Sequence, residues 1–194
     1  LGAILERLAS AGVDSIGLLG STGSYMYLDR DQRRRALRVA VDRLGGSTPL
    51  IVGVGAMRTD EARALALDAA DCGADGLLLA PVSYTPLTED EVFAHFQAVA
   101  EASDLPLCIY NNPGTTHFTF GPTLLARLAG LPRVRAVKMP LPPGGDHRAE
   151  IARLRAAAPE GFSVGYSGDW GCSAALLSGA DAWFSVVAGI LPRP

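Results

Sequence analysis

Lysine occurs once in this chain. Of its 194 residues 17 are Lys or Arg, and Lys138 is the single lysine among them. It closes the apolar run Val134-Arg135-Ala136-Val137-Lys138, just before Met139-Pro140. A primary amine on a flexible stem can attack a carbonyl carbon, which a guanidinium does not usefully do. In water a lysine is almost wholly protonated at neutral pH, so a nucleophilic one needs an apolar surround that favours the free amine. Such an amine would form an imine with a 2-keto acid, and dehydration of the carbinolamine then needs a proton shuttle. Tyr110, at the end of Leu107-Cys108-Ile109-Tyr110, offers a phenol for that purpose. The segment Gly20-Ser21-Thr22-Gly23-Ser24 adds hydroxyls and backbone N–H groups suited to a carboxylate. It lacks the following lysine and the spacing of a phosphate-binding Walker loop.

The elements that must position these residues follow from periodicity. Apolar bursts at 15–19, 50–54, 76–80, 107–110, 134–138, 162–165 and 183–187 read as buried strands. Helical spacing fills the intervals. Ile4, Leu8 and Ala11 share one helical face, and Ala36, Leu37, Ala40, Val41 and Leu44 share another. Thr59 and Thr88 are placed to cap helices 60–72 and 89–102, and Pro122 suits a first turn. A weak repeat marks the joints: Ala11-Gly12-Val13-Asp14, Cys72-Gly73-Ala74-Asp75 and Ser178-Gly179-Ala180-Asp181 each precede a burst, with Gly where a helix should end. Strands apolar on both faces that alternate with helices imply a parallel sheet. Seven such units, with no GxGxxG after an early strand, predict an α/β fold of the (β/α)8 TIM-barrel kind as a single domain over 1–194. Seven strands are one short of closure, so the expectation includes a first strand and further chain outside this sequence. In such barrels the site lies at the carboxyl ends of the strands, where Lys138, Tyr110 and the Ser21 segment all fall.

Composition narrows the function classes. A net charge of -3 gives no basic surface for nucleic acid. The run Arg33-Arg34-Arg35 with Arg38 is expected to be a solvated helix face. Cys72, Cys108 and Cys172 are widely spaced with no CxxC pair, and His95, His117 and His147 lack metal-ligand spacing, so neither disulfides nor a metal is expected. No apolar stretch reaches the roughly 18 residues of a membrane span, and a cytoplasmic location is the expectation.

Taken jointly, Gly20-Ser21-Thr22-Gly23, Tyr110-Asn111-Asn112-Pro113 and Val137-Lys138, in this order, resemble the dihydrodipicolinate synthase / N-acetylneuraminate lyase family. The resemblance extends through the 81–86 loop and Tyr166-Ser167-Gly168-Asp169. It implies a (β/α)8 barrel with a C-terminal helical extension, assembled as a homo-oligomer, dimer or tetramer. It also implies a class I aldolase-type lyase or synthase that joins pyruvate or a related 2-keto acid to an aldehyde. Under it Lys138 is the Schiff-base lysine and Tyr110 the proton shuttle. Ser21 and Thr22 bind the keto-acid carboxylate, while Gly168 and Phe184 line the pocket. No cofactor is implied beyond the lysine imine itself. Three positions depart from the pattern: Ser24 stands where Glu is usual, Ser83 where the synthases carry a relay Tyr, and Thr115 near where they carry an Arg for the aldehyde's carboxylate. Strand alternation turns the neighbouring Tyr84 elsewhere. The departures leave as alternatives a barrel that binds a keto acid or sugar acid without turnover, and a sugar-acid dehydratase of the same family.

Overall fold

The computed structural model describes residues 1–193. Its elements alternate as expected: α1 (Gly2–Ser10), β1 (Ile16–Leu18), α2 (Arg30–Leu44), β2 (Leu50–Gly53), α3 (Thr59–Cys72), β3 (Gly76–Leu79), α4 (Glu89–Ala100), β4 (Leu107–Tyr110), α5 (Pro113–Thr116), α6 (Pro122–Ala129), β5 (Val134–Met139), α7 (His147–Ala157), β6 (Ser163–Ser167), α8 (Cys172–Leu177) and β7 (Ala182–Phe184). The seven strands form one sheet in sequence order, every neighbouring pair parallel. This is the strand and helix order of a (β/α)8 barrel. Among the described residues no ladder joins β1 to β7. The two ends of the arc nevertheless meet, through Arg7 donating to the Gly189 carbonyl at 2.8 Å and Arg193 to the Ser10 carbonyl.

Alternation along the strands divides the core in two. Leu107, Ile109, Val134, Val137 and Met139 face outward and pack beneath the helices with Phe96, Leu124 and Leu128. Leu78, Ala80, Cys108 and Tyr110 face the barrel interior, joined by Ala136 and Phe184. The repeated Gly-x-Asp joint has a physical basis. Gly12, Gly73 and Gly179 adopt φ of 76°, 89° and 101°, a region open to glycine. At the second and third occurrences the following Asp then grips the start of the preceding strand: Leu50 N–H donates to the Asp75 carboxylate and Val164 N–H to that of Asp181, each at 2.8 Å.

Four expectations are corrected. Thr59 does not cap α3; Arg58 precedes the helix and the Thr59 hydroxyl pairs with His95 Nδ1 at 2.9 Å instead. Thr88 does cap α4, in a reciprocal box with Glu91. On α1 the anchoring residue is Leu5, and Ile4 is exposed. Arg33 is buried: burial depresses its pKa, and it donates to the carbonyls of Gly55 and Leu28 and stacks 5.1 Å over the Tyr25 ring. Arg30 and Arg34 close on buried Asp68, leaving only Arg35 and Arg38 of that stretch facing solvent alone. Finally, β7 stops at Phe184, because the N–H groups of Val186 and Val187 turn to the Asp169 carboxylate at 3.1 and 3.0 Å.

Candidate active site

Lys138 reaches the barrel interior because of one irregularity. Leu107 pairs with Val134, but the next pair is Cys108 with Ala136, so Arg135 is an extra residue that bulges out of β5. Were Arg135 paired in the ladder opposite Cys108 instead, Tyr110 would face Val137, and Lys138 would turn to the outer face. With the bulge Tyr110 and Lys138 lie side by side on the inner face. The Lys138 ammonium nitrogen sits 4.1 Å from the Tyr110 ring centroid and 5.2 Å from that of Phe184. Across β6 its register partner is Gly165, and a Cβ there would come within 2.6 Å of the Phe184 ring. Glycine thus lets Phe184 lie beside the lysine.

The Ser21 segment is a 3-10 turn over Ser21–Gly23. Two residues with positive φ bracket it, Leu19 at 58° and Ser24 at 54°. Such conformations are disfavoured for side chains like leucine and persist where packing imposes them. Here the Leu19 carbonyl occupies the space that a Cβ on Gly53 would fill, only 1.9 Å away. Gly53 of β2 therefore admits the turn. Tyr25 anchors its far side against Gly55 and Arg33. The Ser21 hydroxyl is 3.5 Å from the Tyr110 hydroxyl, a long contact of the kind that tightens when substrate binds.

The remaining candidates divide. Gly168, at φ 109°, follows the Ser167–Phe184 register pair at the carboxyl end of β6, packed against Leu141. Thr22 is exposed, and among the described residues its side chain makes no hydrogen bond. Ser83 accepts from the Thr85 N–H at 3.2 Å, and Tyr84 beside it is 90% exposed. Thr115 is tied to Asn112.

Four features of the site lay outside the candidate set. The Asn112 side-chain amide donates to the Tyr110 hydroxyl at 3.1 Å and the Thr115 hydroxyl at 3.0 Å, with Ser21 Oγ at 3.5 Å. The Asp169 carboxylate accepts from Trp183 Nε1, Ser185 Oγ and the Val186 and Val187 N–H groups, which fixes the strand end that carries Phe184. Cys108 lies in the interior two residues before Tyr110, and burial pushes its thiol up to about 12 although nearby Lys138 opposes the shift. The fourth is the Arg135 bulge. A run of alternating residues carries no sign of an inserted one, whereas Asn112 could have been suspected from its place beside the tyrosine.

A cavity of about 230 Å³ opens between α6 and α7, with Val137 and Met139 on its floor. These flank Lys138 in sequence but face the outer side of the strand, so that space is separate from the lysine. Among the described residues no three His, Cys, Asp or Glu side chains are grouped to hold a metal, and no helix is long and apolar enough to cross a membrane.

Comparison with known proteins agrees with this fold. The model of the dihydrodipicolinate synthetase family matches residues 1–194. A 4-hydroxy-tetrahydrodipicolinate synthase of Methylococcus capsulatus is 35% identical over 191 residues, covering 98% of this chain and 64% of that protein. One from Salinibacter ruber is 36% identical, covering 98% of this chain and 62% of its own length. The crystal structure of a dihydrodipicolinate synthase from Agrobacterium tumefaciens superposes with a TM-score of 0.97 at 60% identity, over 98% of this chain and 64% of that one. The chain thus spans a little under two thirds of the relatives it matches.

Proposed function

The chain belongs to the dihydrodipicolinate synthetase family, and we propose that its site performs class I aldolase chemistry on pyruvate or a related 2-keto acid. The observation that carries this reading is the pairing of Lys138 with Tyr110 on the inner face, with Ser21 within reach of the phenol. The free amine of Lys138 adds to the keto carbon. The carbinolamine expels its hydroxyl as water on receiving a proton, and Tyr110 is placed to deliver it, with Ser21 as the next hydroxyl along. The Ser21 turn, with its hydroxyls and N–H groups, receives the keto acid's carboxylate; Thr22 belongs to that turn and its exposed hydroxyl faces the same solvent. Phe184 and Gly168 wall the pocket around the keto acid's methyl end. Loss of a C3 proton from the imine gives an enamine, which adds to an aldehyde; water then releases the product and restores the amine.

The acceptor is set by other residues. Ser83 and Thr115 are small, neutral and engaged locally, with Thr115 held by Asn112. Neither offers a cation for an acceptor carboxylate, which favours an aldehyde or sugar acid without a charged group at that end.

Exchange of the pyruvate methyl protons in heavy water, followed by NMR, tests the reading. Protein-dependent exchange that vanishes in Lys138→Arg is expected. Binding of pyruvate with no exchange would instead support a barrel that holds keto acids without turning them over. A panel of aldehydes with and without a carboxylate then tests the acceptor: faster pyruvate consumption with the uncharged members is the predicted order.

A further inference from the structure

We infer that Asn112 is a positioning residue for the proton shuttle: its amide donates to the Tyr110 hydroxyl and thereby sends the phenol proton toward Ser21 and the substrate. The inference rests on the imine reading of the site.

Asn112 precedes Pro113, which holds it out of helical conformation at φ -138°. It sits where a helix N-cap would, yet its side chain makes no cap bond. Its amide nitrogen is spent instead on three hydroxyls, at 3.1 Å from Tyr110, 3.0 Å from Thr115 and 3.5 Å from Ser21. A phenol has one proton to give and two lone pairs. An N–H donated into one lone pair does two things. It removes Asn112 as a destination for the phenol proton, which leaves Ser21 Oγ, at 3.5 Å, as the neighbouring acceptor. It also stabilises negative charge on the phenol oxygen while the proton is away, as a hydrogen bond to the charged form does. Tyr110 is buried to 8% exposure, so solvent is poorly placed to do either. Its phenol needs a fixed donor, and the geometry assigns that role to the Asn112 amide.

The test compares Asn112→Ala and Asn112→Asp in pyruvate methyl exchange across pH, alongside thermal unfolding. Asp copies the shape of Asn, but its carboxylate accepts where the amide donates. At neutral pH N112A is expected to slow exchange roughly tenfold, the worth of one such hydrogen bond. N112D is expected to be slower still, because its carboxylate accepts the phenol's hydrogen bond and turns that proton away from Ser21. The N112D to N112A rate ratio should then rise as pH falls through the carboxylate range, where the carboxyl regains a hydrogen to donate. Thermal unfolding should stay unchanged in the variant used for the comparison. A merely structural role would slow both variants without any pH-dependent ratio. Equal rates in all three proteins, or an N112D as fast as wild type, overturn the inference alone. Absence of exchange in the wild type overturns it together with the imine reading.

Discussion

Cys108 and Lys138 share the barrel interior, and their neighbourhood bears on the thiol's titration. The thiol is buried, so its anion is penalised and its pKa rises to about 12. The protonated form is therefore the one the fold favours. Its contribution to stability is complete below the thiol's unfolded pKa near 9. It is lost as pH climbs from there toward about 12, by an amount on the order of a few kcal/mol. Denaturant unfolding at a series of alkaline pH values should show stability falling more steeply in the native protein than in Cys108→Ala. Parallel slopes would contradict the burial of this thiol. The same protection predicts that Cys108 resists alkylation in the folded protein, whereas the partly exposed Cys72 and Cys172 react first.

At the scale of elements, the site depends on two backbone devices. The Arg135 bulge sets which face of β5 carries the lysine. Deleting Arg135 removes the extra residue and leaves Ala136, Val137 and Lys138 opposite Cys108, Ile109 and Tyr110, so Lys138 should stay on the inner face and pyruvate methyl exchange should persist. Loss of exchange in a variant whose far-UV circular dichroism keeps its helical signal would contradict that register. Gly53 admits the Leu19 carbonyl and with it the Ser21 turn. Gly53→Ala forces that carbonyl away, and loss of pyruvate affinity is expected along with a drop in thermal midpoint; unaltered affinity would mean the turn does not hold the carboxylate. These devices also mark how far the site was legible in the sequence. Lys138 and Tyr110 stand out because rare or amphipathic types end apolar runs, and strand order then places them at one end of a barrel. The bulge does not stand out, because Arg135 reads as one polar residue in an alternating strand. Leu19 with a positive φ is likewise invisible, since leucine carries no preference for that region and only Gly53 across the sheet makes it tolerable. The helix stops at Gly73 and Gly179 were readable because glycine's freedom is local. The end of β7 was not, because it is set by Asp169, a residue on the preceding loop.

On the scale of the molecule, one architecture serves two layers. Helices bury the outward rows of β1 to β6, and the inward row is left to form the site. The same strand therefore contributes Val137 and Met139 to the outer core and Lys138 to the chemistry. Family membership, the barrel order and the convergence of Lys138, Tyr110 and Ser21 all bear on one claim, that this lysine becomes covalently bound to a keto acid. The most direct measurement is to reduce the protein with borohydride in the presence of pyruvate, digest it and map the modified peptide by mass spectrometry. The account predicts one reduced pyruvate per chain, on the peptide containing Lys138, absent from Lys138→Arg and sharply diminished in Tyr110→Phe. An unmodified Lys138 under conditions in which pyruvate is bound, or an adduct that persists in Lys138→Arg, would contradict it.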